Sequence, residues 1–235
     1  MPVCDRCFAK VSPFAAECSC SCCHTPFLND FPLDEQGRCA LCRLGLSGYD
    51  EAYCYGSHDG VLRSLIHLFK YDGIRTLAGP LGNLMLAAMP RDRSWDVVVP
   101  MPLHWWRRWR RGYNQSEILA RALARRIGIP MRKTVRRVKA TPPQAGMSRA
   151  ERRRNVTGAF SIRRCQQVAG LRVLLIDDVL TSGATARACA MTLKQAGATH
   201  VTVLTLSRAD RRHPAPAGQD TAPPVSTVVG DSANV

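Results

Sequence analysis

Val61, Leu62, Leu65, Ile66 and Phe69 recur at helical spacing and predict a helix over 61–70. Asp96–Met101 is Val-rich, closed by Pro100 and Pro102, and reads as a short strand. Leu119, Ala122, Leu123 and Ile127 mark the apolar stripe of a helix over Ser116–Ile127, stopped by Gly128 and Pro130. Short strands are predicted at Val135–Val138 and Val156–Ile162. Arg172–Ile176 carries the continuous apolar run Val173–Ile176 of a strand buried on both faces. A helix over Ala184–Ala196, closed by Gly197, and a last strand over His200–Ser207 complete the series. Strand–helix–strand alternation predicts an α/β fold, a parallel sheet covered by helices.

The periodic region runs from about 51 to 208. Residues 1–48 are cysteine-rich with few periodic apolar positions, and such a segment needs a metal to fold. Residues 209–235 are rich in Pro, Ala, Asp, Ser and Thr without apolar period, and read as a disordered tail. The apolar stretch Leu77–Met89 is broken by Gly79, Pro80, Gly82 and Asn83, so no membrane span is expected. The first residues lack the apolar core of a signal peptide, which predicts a soluble, cytoplasmic protein.

The strongest chemical signal follows the central strand. Asp177 and Asp178 stand at its carboxyl end, where open α/β sheets place ligands. Thr181, Ser182 and Thr185 offer hydroxyls, and Gly183 lets the backbone approach an anion. The helix beginning near Gly183 and Ala184 presents free N–H groups and the positive end of its dipole. Strand, paired carboxylates, hydroxyl–glycine loop and helix together make a phosphosugar site. An ordinary helix cap needs only one such residue, Asp178 or Thr181.

Eight of the eleven cysteines precede residue 43. In a reducing compartment such crowding means metal rather than disulfides. Cys20-x2-Cys23 and Cys39-x2-Cys42 have the spacing of a zinc ribbon with two knuckles. Cys4-x2-Cys7 is a third knuckle, which pairs with Cys18 and Cys22 in a second site or replaces one knuckle of the first. Thiolate pairs alone leave an iron–sulfur cluster open. His24 reads as solvent-facing and Cys189 as core.

Net charge is +15, which favours a polyanionic partner. Two segments concentrate it. His104–Tyr113 interleaves Trp105, Trp106 and Trp109 with Arg107, Arg108, Arg110 and Arg111. Rings that stack on bases and guanidinium groups that follow phosphates suit single-stranded nucleic acid; the alternative is tryptophans packed on the domain. Arg149, Arg152, Arg153 and Arg154 form the second cluster, with Lys133, Arg136, Arg137 and Lys139 upstream.

Val173–Thr185 resembles the phosphoribosyl pyrophosphate (PRPP) motif of type I phosphoribosyltransferases. With the cysteine knuckles ahead of it, the whole chain resembles the ComF family. Leu62–Gly73, Val98–Leu103, Arg111–Gln115 and Gln144 with Ser148–Phe160 are similar to further segments of that family. The resemblance implies a type I phosphoribosyltransferase-like sheet with an N-terminal zinc module, and a site that takes PRPP with Mg²⁺. Asp177 and Asp178 would hold the ribose hydroxyls as the catalytic pair, and Thr181, Ser182, Gly183, Ala184 and Thr185 the 5′-phosphate. Arg111, and less so Arg107, would meet the pyrophosphate, and Gln144–Asn155 would close over it as a mobile loop. The family's association with natural competence implies single-stranded DNA as a partner, handled by Trp105, Trp106, Trp109, Arg107, Arg108, Arg110, Arg149 and Arg153. A competence helicase or other DNA-uptake proteins are implied as further partners. The same resemblance also admits an active phosphoribosyltransferase with an unidentified acceptor, or a GntX-like role in gluconate or iron–sulfur metabolism.

Overall fold

The computed structural model describes residues 3–14, 16–45, 47–103, 109, 112–139, 158–163 and 167–209. Within them the order is α1 (Asp5–Phe8), β1 (Cys18–Ser19), β2 (Pro26–Phe27), α2 (Ala40–Arg43), β3 (Glu51–Ser57), α3 (Gly60–Tyr71), α4 (Ala78–Ala87) and β4 (Val97–Pro100). There follow α5 (Gln115–Ile127), β5 (Val135–Arg137), β6 (Phe160–Ile162), β7 (Arg172–Ile176), β8 (Val179–Leu180), α6 (Ala184–Gln195) and β9 (His200–Arg208).

The sheet has the order β3-β9-β7-β4, every neighbouring pair parallel, with β8 also parallel to β9. The central strands are apolar at successive positions because both faces are covered. Val98, Leu174, Ile176, Leu204 and Leu206 face the side of α3, α4 and α5. Val97, Val99, Val173, Leu175, Val201 and Val203 face the other, against α6 and the β5–β6 hairpin. Each such side chain, fully buried, contributes roughly 1.5–3 kcal/mol.

The cysteine-rich segment divides between these faces. Cys20, Cys23 and Cys39 join the core on the α6 side. Val3, Phe8 and Val11 pack into the core on the α3 side. The N-terminal strand-like stretch is tied to the sheet edge by the Phe14 N–H bond to the Tyr55 carbonyl at 2.7 Å. Gly56 permits this approach, since a Cβ there would stand 2.8 Å from the Ser12 carbonyl oxygen.

The helix expected over 61–70 runs 60–71, that over 116–127 begins one residue earlier, and β4, β5, β7, α6 and β9 fall on the predicted segments. β8 and the short elements of the first 48 residues are additions, as are two longer elements, β3 and α4. β3 reads Glu-Ala-Tyr-Cys-Tyr-Gly-Ser, without an apolar run, because it is an edge strand with most of its positions only half-buried. α4 forms through Gly79, Pro80 and Gly82, near its N-terminus, where proline is tolerated. The strand expected over 156–162 is described only as Phe160–Ile162. The mobile loop expected over 144–155 and residues 210–235 of the tail lie outside the described residues. Among the described residues no helix is long and apolar enough to cross a membrane.

Candidate functional site

β7 delivers Asp177 and Asp178 to the carboxyl edge of the sheet, into an open cleft of about 290 Å³. The cleft is lined by both carboxylates, by Thr181, Gly183, Ala184 and Thr185 of the loop, and by His58, Lys70 and Arg137. Ser182 turns instead into a smaller crevice between the loop and the cysteine-rich segment. Gly183 occupies the position before α6 with φ of 76°, a conformation open to glycine. As the N-cap residue, Gly183 brings no side-chain cap to this helix. The start of α6 faces the loop, where the Ala184 N–H bonds to Ser182 Oγ at 3.4 Å.

The two carboxylates are held differently. Asp178 Oδ1 lies 2.8 Å from Lys70 Nζ, a largely buried ion pair. Asp177 Oδ1 accepts from Ser116 Oγ at 2.9 Å and from the Asp178 N–H at 3.0 Å. Burial, reinforced by the neighbouring Asp178 charge, pushes Asp177 up to about 7. The pair thus shares its site with built-in cations, Lys70 in direct contact and Arg137 in the lining. His58 Nδ1 is 2.9 Å from Ser207 Oγ. Burial, then the charges of Lys70 and Arg63, holds His58 down at about 4, so its imidazole is neutral at pH 7.

The segment after Arg111 acts as a brace. Tyr113 Oη donates to the Phe69 carbonyl, Gln115 Nε2 to the Lys70 carbonyl at 3.1 Å, and Asn114 Nδ2 to the Met101 carbonyl at 3.0 Å. These bonds lock the end of α3 to the start of α5, and so place Lys70 and Ser116 over the acidic pair.

The second constellation is sulfur. The Sγ atoms of Cys20, Cys23, Cys39 and Cys42 all lie within 4.8 Å of one another. Cys20, Cys23 and Cys39 are buried. The Cys23 and Cys39 N–H groups point at Cys20 Sγ, at 3.5 and 3.3 Å, as expected where a chain wraps a thiolate. Hydrogen bonding with Cys23 raises Cys20, but bonds from Cys39 and Cys42 outweigh it and bring Cys20 down to about 6. Such a closed set of four thiols could hold one metal ion. The structure does not bring Cys4 and Cys7 to this set. They are exposed, hydrogen-bond to each other, and belong to the segment packed on the opposite face of the sheet. Cys22 Sγ donates to the Asp50 carbonyl at 2.7 Å, and Cys18 sits in β1. His24 does not face solvent freely; it stacks on Tyr53 with ring centroids 4.3 Å apart.

Of the aromatic and basic candidates, Trp109 is 79% exposed. Trp105, Trp106, Arg107, Arg108, Arg110, Arg111, Arg149 and Arg153 lie outside the described residues. In the upstream cluster, Lys133 pairs with Glu117, Arg136 Nε donates to Ser161 Oγ at 2.8 Å, and Arg137 reaches the cleft. Sequence reasoning passed over His58, Lys70 and Ser116 as site residues. Lys70 stood only within a family-like segment, and the other two carried no local signal.

A family model described as a phosphoribosyl transferase domain matches residues 114–229. Over 179 residues the chain is 33% identical to competence protein F of Haemophilus influenzae, covering 73% of this chain and 78% of that protein. The chain belongs to the competence protein F family. It is also 34% identical over 154 residues to the DNA utilization protein YhgH of Escherichia coli strain K12, covering 63% of this chain and 67% of that one. A crystal structure of an adenine phosphoribosyltransferase aligns over 63% of this chain and 76% of that chain, with a TM-score of 0.38 and 16% identity. This member of the competence protein F family has a type I phosphoribosyltransferase-like fold, a parallel sheet flanked by helices, with a cysteine cluster near its N-terminus. It is a competence-related, phosphoribosyltransferase-like protein.

Proposed function

We propose that the cleft binds PRPP with Mg²⁺, in a protein that also holds single-stranded DNA during DNA uptake. One observation carries this reading: paired carboxylates, a left-handed glycine and a helix N-terminus converge on one open cleft at the carboxyl end of the sheet. Asp178 and Asp177 are placed to accept from the ribose 2′- and 3′-hydroxyls. Thr181, Gly183, Ala184 and Thr185 surround the 5′-phosphate with N–H and hydroxyl donors. Lys70 balances Asp178 and is within reach of the same ligand. The carboxylate oxygens are the hard donors that Mg²⁺ prefers, and the bound ion would neutralise pyrophosphate charge. The four-sulfur set fits zinc as a structural ion, having no open position for chemistry. Support for single-stranded DNA comes from the +15 net charge and from the exposed Trp109 ring.

A second reading, pentosyl transfer to an acceptor, draws on the neutral His58 imidazole beside the acidic pair. Thermal melting with PRPP and Mg²⁺ tests the first reading: the ligand raises the melting temperature, and an unchanged melt rejects it. Pyrophosphate release from PRPP, screened across bases, amines and single-stranded DNA, separates catalyst from binder.

A further inference from the structure

Arg208 closes β9 and is 4% exposed. Its Nη1 donates to the Cys23 carbonyl oxygen and, at 2.6 Å, to Thr25 Oγ1. Among the described residues no carboxylate pairs with it; the ionisable groups it faces are Tyr49, Cys23 and Cys54. A guanidinium keeps its charge at any working pH, and a buried charge without a counter-charge is costly. The anion on offer is sulfur. Thr25 Oγ1 lies 2.9 Å from Cys23 Sγ, so the hydroxyl links the guanidinium to the four-cysteine set. Four thiolates around a divalent ion form a net dianion, which supplies the missing charge.

The other side of Arg208 is the sugar-phosphate loop. Arg208 stands in register with Leu180, and the Ala209 N–H bonds to the Leu180 carbonyl at 3.1 Å. Two residues earlier, the Leu206 N–H bonds to the Asp178 carbonyl at 3.1 Å. The crevice beneath the loop is walled by Cys23, Thr25, Cys42 and Arg208 on one side and by Thr181–Ala184 on the other. Tyr49 completes it, its Oη 3.5 Å from where a Cβ on Gly183 would stand.

We propose that Arg208 is the counter-ion of a metal tetrathiolate and a positioning residue for the loop, so that metal loading and phosphosugar binding strengthen each other. This rests on the PRPP reading and the metal reading above. With the ion in place the guanidinium is fixed, β9 and β8 end in register, and the loop is preformed. Without it the four sulfur atoms have no shared centre, the guanidinium no longer faces a net dianion, and the strand ends beside Asp178 and Leu180 loosen.

Coupling between two sites is reciprocal, so the effect can be read at the metal. The full chain, loaded with zinc, is titrated with a chromogenic chelator at fixed Mg²⁺, with and without PRPP, while melting curves report PRPP binding independently. The expected result is an apparent zinc affinity about tenfold tighter with PRPP, roughly a 1.4 kcal/mol coupling. Arg208→Met abolishes the difference and Arg208→Lys, which keeps the charge, restores part of it. Thr25→Val, which removes the hydroxyl link, replaces Arg208→Met if that variant does not fold. Zinc affinity unchanged by a PRPP that still raises the melting temperature overturns the coupling and leaves the PRPP reading standing. A PRPP that shifts neither quantity overturns both. Equal tightening in wild type and Arg208→Met overturns the role of Arg208.

Discussion

The cysteine cluster and the acidic cleft lie on either side of one loop, and they are built on opposite rules. The cluster is closed: three of its four cysteines are buried, and its sulfur atoms point at one another. The cleft is open, and its carboxylates are tied to Lys70 and Ser116 yet still line a volume of about 290 Å³. A closed donor set stabilises what surrounds it, whereas an open one exchanges its contents. Like groups brought together are costly in both places. The cluster needs a cation to relieve that cost, and the cleft already contains one in Lys70.

The largest effect expected from this contrast is at the closed site. Cys20→Ser abolishes metal binding and lowers stability by several kcal/mol, on the order of 5, because metal binding is folding free energy there. Metal analysis and thermal melting check both parts. Cys4→Ser leaves the metal content unchanged, and loss of metal in that variant would break the distinction between the two knuckles.

At the open site the expected loss is of ligand rather than of fold. Asp177→Asn with Asp178→Asn weakens PRPP–Mg²⁺ binding at least ~100-fold, or about 2.7 kcal/mol, without unfolding the chain. Calorimetric titration measures it, and a double variant that binds normally removes the carboxylates from the site.

Asp177 alone sharpens the comparison through pH. Its carboxyl lies at about 7 in the fold against an ordinary 3.8. The folded state therefore holds its proton more tightly than the unfolded one, and stability falls as pH rises from about 4 to about 7. Asp177→Asn, still able to accept from Ser116, should melt higher than wild type at pH 8, by about 2 kcal/mol, and equally near pH 4. A difference independent of pH would contradict the burial described for this carboxyl.

The smallest effect belongs to neither region. Trp109→Ala, at a ring 79% exposed, leaves stability unchanged and weakens single-stranded DNA binding by about 1 kcal/mol. Fluorescence anisotropy across a salt series checks this, and binding that ignores both salt and the ring would remove the nucleic-acid reading.

The two regions also differed in how far the sequence disclosed them. The loop from Asp177 to Thr185 is contiguous, so its chemistry could be read along the chain, as could the two knuckles with their fixed spacing. The central strands were legible because burial on both faces forces apolar runs. β3 was not, since an edge strand needs no such run and Gly56 answers to Ser12 rather than to a pattern. Lys70, Ser116 and Arg208 come from three separate elements and His58 from the turn after β3, and only folding brings them to the loop. Cys4 and Cys7 share the knuckle spacing, yet the sheet stands between their segment and the cluster, a separation that spacing does not encode.

The buried bond from Arg208 to Thr25 joins residues 183 positions apart. That bond constrains how the protein can be recombined. A cysteine module exchanged for a relative's would have to bring a hydroxyl to meet Arg208, or be transferred together with the end of β9. The four-cysteine module and the last strand form one structural part.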